Sequence, residues 1–124
     1  MIEVRSSAIH GRGVFSTEFI RRGELFHTAH LLVFDCDQST ALSGTLASNY
    51  VFHIEDCADD PACQKTGLAM SPISFINHHR RCNATFVVNG PARTIDFTAV
   101  RDIAPGEEIT IDYGDFAEKL GIAD

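Results

Sequence analysis

Pro105-Gly106-Glu107-Glu108-Ile109-Thr110-Ile111-Asp112-Tyr113-Gly114-Asp115 is the stretch from which the rest of the chain is best approached. Ala104-Pro105-Gly106 ends one apolar run, because proline fixes φ and glycine completes a tight turn, and a last strand is expected from the Glu107-Glu108 pair onward. The residues alternate after that turn, which places Ile111 and Tyr113 on one face of a strand. A tyrosine that closes a strand before Gly-Asp serves as an edge anchor as often as a catalyst, so the stretch does not assign a role by itself.

Working back along the chain, glycine, proline and β-branched residues cut the sequence into short apolar runs, and a mainly β domain is expected. The candidate strands are residues 2–5, 13–17, 25–34, 50–54, 84–88, 93–99 and 108–111. Two of them flank Asn89-Gly90-Pro91-Ala92, a turn-rich tetrapeptide that predicts a hairpin. Helix is scarce. Residues 39–48 begin with Ser-Thr and carry Leu42 and Leu46 four apart, which predicts one short helix or helical turn. Residues 56–66 are polar, contain Pro61 and read as a surface loop.

The length of 124 residues suits one domain, expected over 1–124, and 44% hydrophobic with 22% charged residues is ordinary globular usage. Nine phenylalanines and no tryptophan furnish the interior. A formal charge of −7 argues against a nucleic-acid partner, since such binders concentrate Lys and Arg, and suits a basic protein segment better, although an acidic balance also aids solubility. Cys36, Cys57, Cys63 and Cys82 are irregularly spaced and read as reduced thiols of an intracellular, cytoplasmic protein. No metal is assigned: His53, Cys57 and Cys63, or His78, His79 and Cys82, are near in sequence but lack zinc-ribbon or zinc-finger spacing. No apolar run approaches the roughly 18 residues that span a bilayer, so no membrane association is expected.

Two further segments carry candidate chemistry. In His10-Gly11-Arg12-Gly13-Val14-Phe15 two glycines straddle one residue before a strand, which permits positive φ and close approach of the backbone to a ligand, or makes a plain turn. In Ser74-Phe75-Ile76-Asn77-His78-His79-Arg80-Arg81-Cys82-Asn83-Ala84, the Asn-His pair and the later Asn offer amide donors and acceptors that hold a polar ligand or link two chain segments.

Taken in order, Gly11-x-Gly13, Phe75-Ile76-Asn77-His78 and Glu107-Glu108-Ile109-Thr110-Ile111-Asp112-Tyr113-Gly114 resemble the signature set of the SET-domain lysine methyltransferases over nearly the whole chain. Asn49-Tyr50-Val51-Phe52 is similar to the family's mid-domain aromatic element. Where many members read N-H-S-C-x-P-N, this chain has His79, Arg80 and Cys82 at the Ser, Cys and Pro positions. It carries neither a cysteine-rich segment ahead of the domain nor the zinc-binding cysteines behind it, and so looks like the minimal single-domain members of viruses and bacteria.

The resemblance implies a SET-domain, β-clip-like fold of small twisted sheets, in which the C-terminal strand passes under a loop as a pseudoknot. It implies S-adenosylmethionine as methyl donor, bound by Gly11, Arg12, Gly13, Asn77 and His78, with Arg12 equally suited to a solvent-exposed turn. It implies Tyr113 as the catalytic group orienting the amine of a protein lysine, nuclear if the substrate is a histone. Tyr50, Ile111 and Phe116 are candidates for the lysine channel or for plain core packing, and a homodimer is one way to complete that channel. Ile111 offers no hydroxyl to hold a crowding water, so the expected product goes beyond monomethyl-lysine. A non-catalytic module of the same fold and a metal protein are the rival readings.

Overall fold

The structure, a computed structural model, describes residues 1–57 and 60–114, with side chains described outside residues 55–64. In chain order the strands are β1 (Ile2–Ser6), β2 (Arg12–Ser16), β3 (Leu25–Phe34), β4 (Val51–Cys57), β5 (Asp60–Ala69), β6 (Asn77–His78), β7 (Ala84–Asn89), β8 (Thr94–Ala99) and β9 (Glu108–Ile111). One α-helix, α1 (Cys36–Leu42), and 3-10 turns at Leu46–Asn49 and Pro72–Phe75 complete the described elements. The strands form two sheets, ordered β1-β2-β9-β6 and β4-β5-β3-β8-β7. The mainly β expectation holds.

The Asn89-Gly90-Pro91-Ala92 hairpin forms as expected. β7 and β8 pair from Ala84 with Ala99 to Asn89 with Thr94, and the Asn89 side chain accepts the Ala92 N–H at 3.1 Å. Along β8, Ile95, Phe97 and Ala99 are buried in alternation with half-buried neighbours, the period of a strand with one face on the core. The fully buried ring of Phe97 sits among Phe26, Phe52 and Phe86, at centroid separations of 6.4, 6.1 and 6.1 Å. Phenylalanine rings thus cluster at the centre of the larger sheet's inner face, beside the buried Leu31 and Ile95.

Three local expectations are corrected. Residues 56–66 are not a surface loop: most belong to β5, which lies inside the larger sheet between β4 and β3. Its polar first half pairs only with β4, through Lys65, Gln64 and Asp60, whereas Thr66, Gly67 and Leu68 pair with both neighbours. The polar composition therefore belongs to a two-stranded extension beyond the sheet. The helix lies earlier than expected, because Asp35 and Gln38 form a reciprocal capping box at 2.9 and 3.1 Å and Gly44 takes φ +82° soon after its end. The cysteines are not all reduced: Cys36 is disulfide-bonded, while Cys82 is free. Helix α1 packs on β5, with Ser39 Oγ 2.9 Å from Thr66 Oγ1.

The crossing that positions the site centres on β9. This strand runs antiparallel to β2 and parallel to the two-residue β6, which the sequence reading did not anticipate. The chain leaving β6 then wraps over β9. The His79 N–H donates to Ile111 O at 3.0 Å, and the fully buried Asn83 donates to Glu108 O at 2.8 Å and accepts from Thr110 N at 2.9 Å. One asparagine thus supplies the backbone pairing that a longer strand would have given.

Candidate active site

The turn between β1 and β2 is built on Ser7. Its N–H donates to Gly11 O at 2.8 Å, and its hydroxyl oxygen accepts from Ile9 N and His10 N at 2.9 and 3.3 Å. Gly11 adopts φ +47°, where a β-carbon is unfavourable, and a side chain there would meet nothing within 4 Å, so its backbone faces open space. Gly13 is glycine for another reason. A β-carbon at that position would lie 2.3 Å from Glu108 Oε2 and 3.0 Å from Asn77 Nδ2.

Asn77 is brought under this turn by a short 3-10 element. Ser71 Oγ caps its start by accepting Ile73 N at 3.1 Å, and the Ile76 N–H closes it on Ile73 O at 3.0 Å. The Asn77 amide nitrogen then faces four oxygens: Glu108 Oε2 at 2.9 Å, His10 O at 3.1 Å, and Ser7 Oγ and Arg12 O at 3.2 Å. His78 is buried beside it, and its Nδ1 accepts the Tyr113 N–H at 2.9 Å. That bond makes Nδ1 the unprotonated nitrogen and ties the ring to Tyr113, whose centroid is 5.2 Å away.

On the other side of this cross-link lies a cavity of about 240 Å³ lined by Tyr50, Phe52, Ile76, Phe86, Ile111 and Tyr113, among others. The Tyr113 hydroxyl donates to the main-chain carbonyl of Ile76. Burial, reinforced by Tyr50, pushes the Tyr113 phenol up to about 12 from its ordinary 10.0. With its proton committed to a carbonyl, the phenol offers the cavity an oxygen lone pair. Phe75 divides the two sides: the Arg12 guanidinium lies 4.4 Å over its ring, and Tyr50 packs edge-on at 5.6 Å.

The residues singled out from sequence therefore fall into two adjoining groups. Gly11, Arg12, Gly13 and Asn77 meet at the turn; Tyr50, Ile111 and Tyr113 meet at the cavity; His78 joins the groups. Phe116 lies outside the described residues. Sequence reasoning missed Ser7, Phe75 and Glu108, although Phe75 and Glu108 stand inside the quoted motifs. Among the described residues, no three His, Cys, Asp or Glu side chains converge to hold a metal ion, and His79 Nδ1 instead accepts Arg81 N at 2.9 Å. Nor is any described helix long and apolar enough to cross a membrane.

Comparison with known proteins bears on the family and the fold. Residues 11–114 match the SET domain family. The chain is 29% identical, over 99% of its length, to a histone-lysine N-methyltransferase specific for H3 lysine 4 from Chaetomium globosum, and 31% identical, over 86%, to the protein so described from Saccharomyces cerevisiae. It spans only 12% and 10% of those relatives' lengths. Among solved structures, a candidate histone methyltransferase of Plasmodium falciparum superposes with a TM-score of 0.66 at 21% identity, covering 92% of this chain and 97% of that one. That likeness is one of fold.

Proposed function

Because this chain belongs to the SET-domain family, we propose that it transfers a methyl group from S-adenosylmethionine to the ε-amine of a lysine in a basic protein segment. The observation that carries this reading is the placement of Tyr113 at an apolar cavity, with its proton held by Ile76 O, one cross-linked layer away from the Gly11-x-Gly13 turn.

The residues at the turn suit such a donor. Gly11 leaves backbone open to a ligand, and Asn77 lies among main-chain carbonyls that favour a cation. When bound, S-adenosylmethionine supplies a methyl group activated by a sulfonium. What the protein adds is position, which recovers roughly 7 to 11 kcal/mol of barrier in well-oriented intramolecular reactions. A lysine entering between Tyr50, Phe86 and Ile111 leaves water, which lowers its ordinary pKa of about 10.4 because desolvation disfavours the ammonium form. The Tyr113 oxygen accepts an amine N–H and aims the nitrogen lone pair along the cavity axis. Tyr113 does not take the proton, since its own hydrogen is retained at neutral pH.

The product is di- or trimethyl-lysine in this reading. Ile111 is fully buried beside Tyr113 and presents no hydroxyl to hold a water against the amine. Histone tails suit the acidic chain as substrates, and the histone-lysine relatives favour that class.

The test is incubation with methyl-labelled S-adenosylmethionine and a mixture of basic proteins, followed by mass spectrometry of modified lysines. Label on lysine is expected, and its absence supports a non-catalytic module of this fold. A wild-type product that stays monomethylated at long times would remove the assignment for Ile111, whereas Ile111→Tyr is expected to restrict the product toward one methyl group.

A further inference from the structure

We propose that Glu108 is a positioning residue of the donor site, acting through Asn77; this rests on the reading that the Gly11-x-Gly13 turn binds S-adenosylmethionine. Both oxygens of the Glu108 carboxylate are engaged across the fold: Oε1 accepts the Ser7 hydroxyl at 2.7 Å, and Oε2 accepts the Asn77 amide at 2.9 Å. The carboxylate reaches this position by lying where a side chain at residue 13 would stand, which is possible only because Gly13 has none.

The surroundings settle which end of Asn77 faces inward. His10 O and Arg12 O can only accept, Glu108 accepts with both oxygens, and the Ser7 hydroxyl hydrogen is already given to Glu108. The amide end turned toward them must be the NH2 group. Its two hydrogens serve four oxygens, and the charged acceptor at the shortest distance is the strongest among them. The opposite end, Oδ1, accepts no hydrogen bond among the described residues. No fully buried side-chain polar atom among them lacks a partner, so Oδ1 reaches the surface. Glu108 thereby leaves a carbonyl oxygen presented to the ligand side, where the donor's ammonium needs an acceptor.

The test is a double-mutant cycle read by calorimetric binding of S-adenosylmethionine and S-adenosylhomocysteine, with side-chain amide NMR as a readout that needs no donor. We expect Glu108→Leu to weaken both ligands by about tenfold, the effect of losing one charge-assisted hydrogen bond. Glu108→Gln should stay within about threefold, because its carbonyl can still accept from Asn77. In an Asn77→Ala background, Glu108→Leu should cost no further affinity. The Asn77 NH2 protons should move upfield in Glu108→Gln, which keeps the size of the side chain and so tests the contact even if Glu108→Leu does not fold. An undiminished loss in the Asn77→Ala background, or unmoved Asn77 amide protons in Glu108→Gln, overturns the proposal. A wild-type protein that binds neither ligand overturns the donor reading itself, and with it the positioning role.

Discussion

Gly13 and Tyr113 show how much of a residue's identity is set by neighbours remote in sequence. Gly13 reads from sequence as a point of close approach to a ligand, yet the atom nearest its missing side chain is Glu108 Oε2. No local pattern reveals that, because the contact exists only once β9 has been threaded beside β2. Tyr113 reads as either anchor or catalyst; its geometry anchors it at both ends, the main-chain N–H on His78 and the hydroxyl on Ile76 O, and leaves an oxygen lone pair for the amine-orienting role proposed above. Tyr113→Phe should therefore keep donor binding and melting temperature near wild type while lowering kcat on the order of a hundredfold or more, the scale for one positioned hydrogen-bonding group. Unchanged turnover would remove Tyr113 from the mechanism. The phenol also predicts a pH window. Its folded value of about 12 lies above the ordinary 10.0, so the fold prefers the neutral ring. That preference contributes to stability in full below pH 10 and is lost as pH rises toward 12, where the unfolded chain has already released its proton. Alkaline titration of wild type and Tyr113→Phe should show the variant losing less stability across that window.

At the scale of elements, regular hairpins were legible in local pattern, whereas the crossing was reached only through the resemblance to the SET-domain family. The β7–β8 hairpin and β9 follow from turn residues and period-2 burial, both local signals. β5 was hidden because its first half is polar, and β6 because two residues form no pattern at all. The helix start was visible in Asp35 and Gln38, a capping box that weighs more than the Leu42 and Leu46 spacing. What the loop after β6 lacks in strand length Asn83 supplies with its side chain, serving Glu108 O, Thr110 N and, at 3.1 Å, Glu107 Oε2. Asn83→Ala would strand the buried Thr110 N–H and the part-buried Glu108 carbonyl in the crossing, at about 1 to 3 kcal/mol for each unmet group. We expect chemical denaturation to report a loss of about 2 to 6 kcal/mol for this variant. A loss near zero would mean that the crossing does not depend on this residue.

For the molecule as a whole, the order of three short motifs located the fold better than any of them did alone, because each had a plain structural alternative, and in the fold all three come together in the β1-β2-β9-β6 sheet. Spacing could not reveal that Cys36 is disulfide-bonded, since the irregular separations of the four cysteines carry no pairing pattern. Charge operates at this largest scale too. With 17 acidic residues against 10 Lys and Arg, the chain attracts a basic segment over distances longer than any single contact. The cavity itself is lined largely by Tyr50, Phe52, Ile76, Phe86, Ile111 and Tyr113, so this attraction acts on approach and leaves the buried contacts of the lysine little affected. Screening shortens from roughly 10 Å at 0.1 M salt to about 3 Å at 1 M, so exposed attraction fades over that range while buried interactions persist. Raising salt from about 0.1 to 1 M should therefore raise KM for a Lys- and Arg-rich peptide several-fold, with kcat nearly constant and the KM for a neutral peptide carrying the same target lysine little changed. Parallel shifts in KM for both peptides would show that salt acts on the cavity or the fold, and would remove net charge as the source of substrate preference.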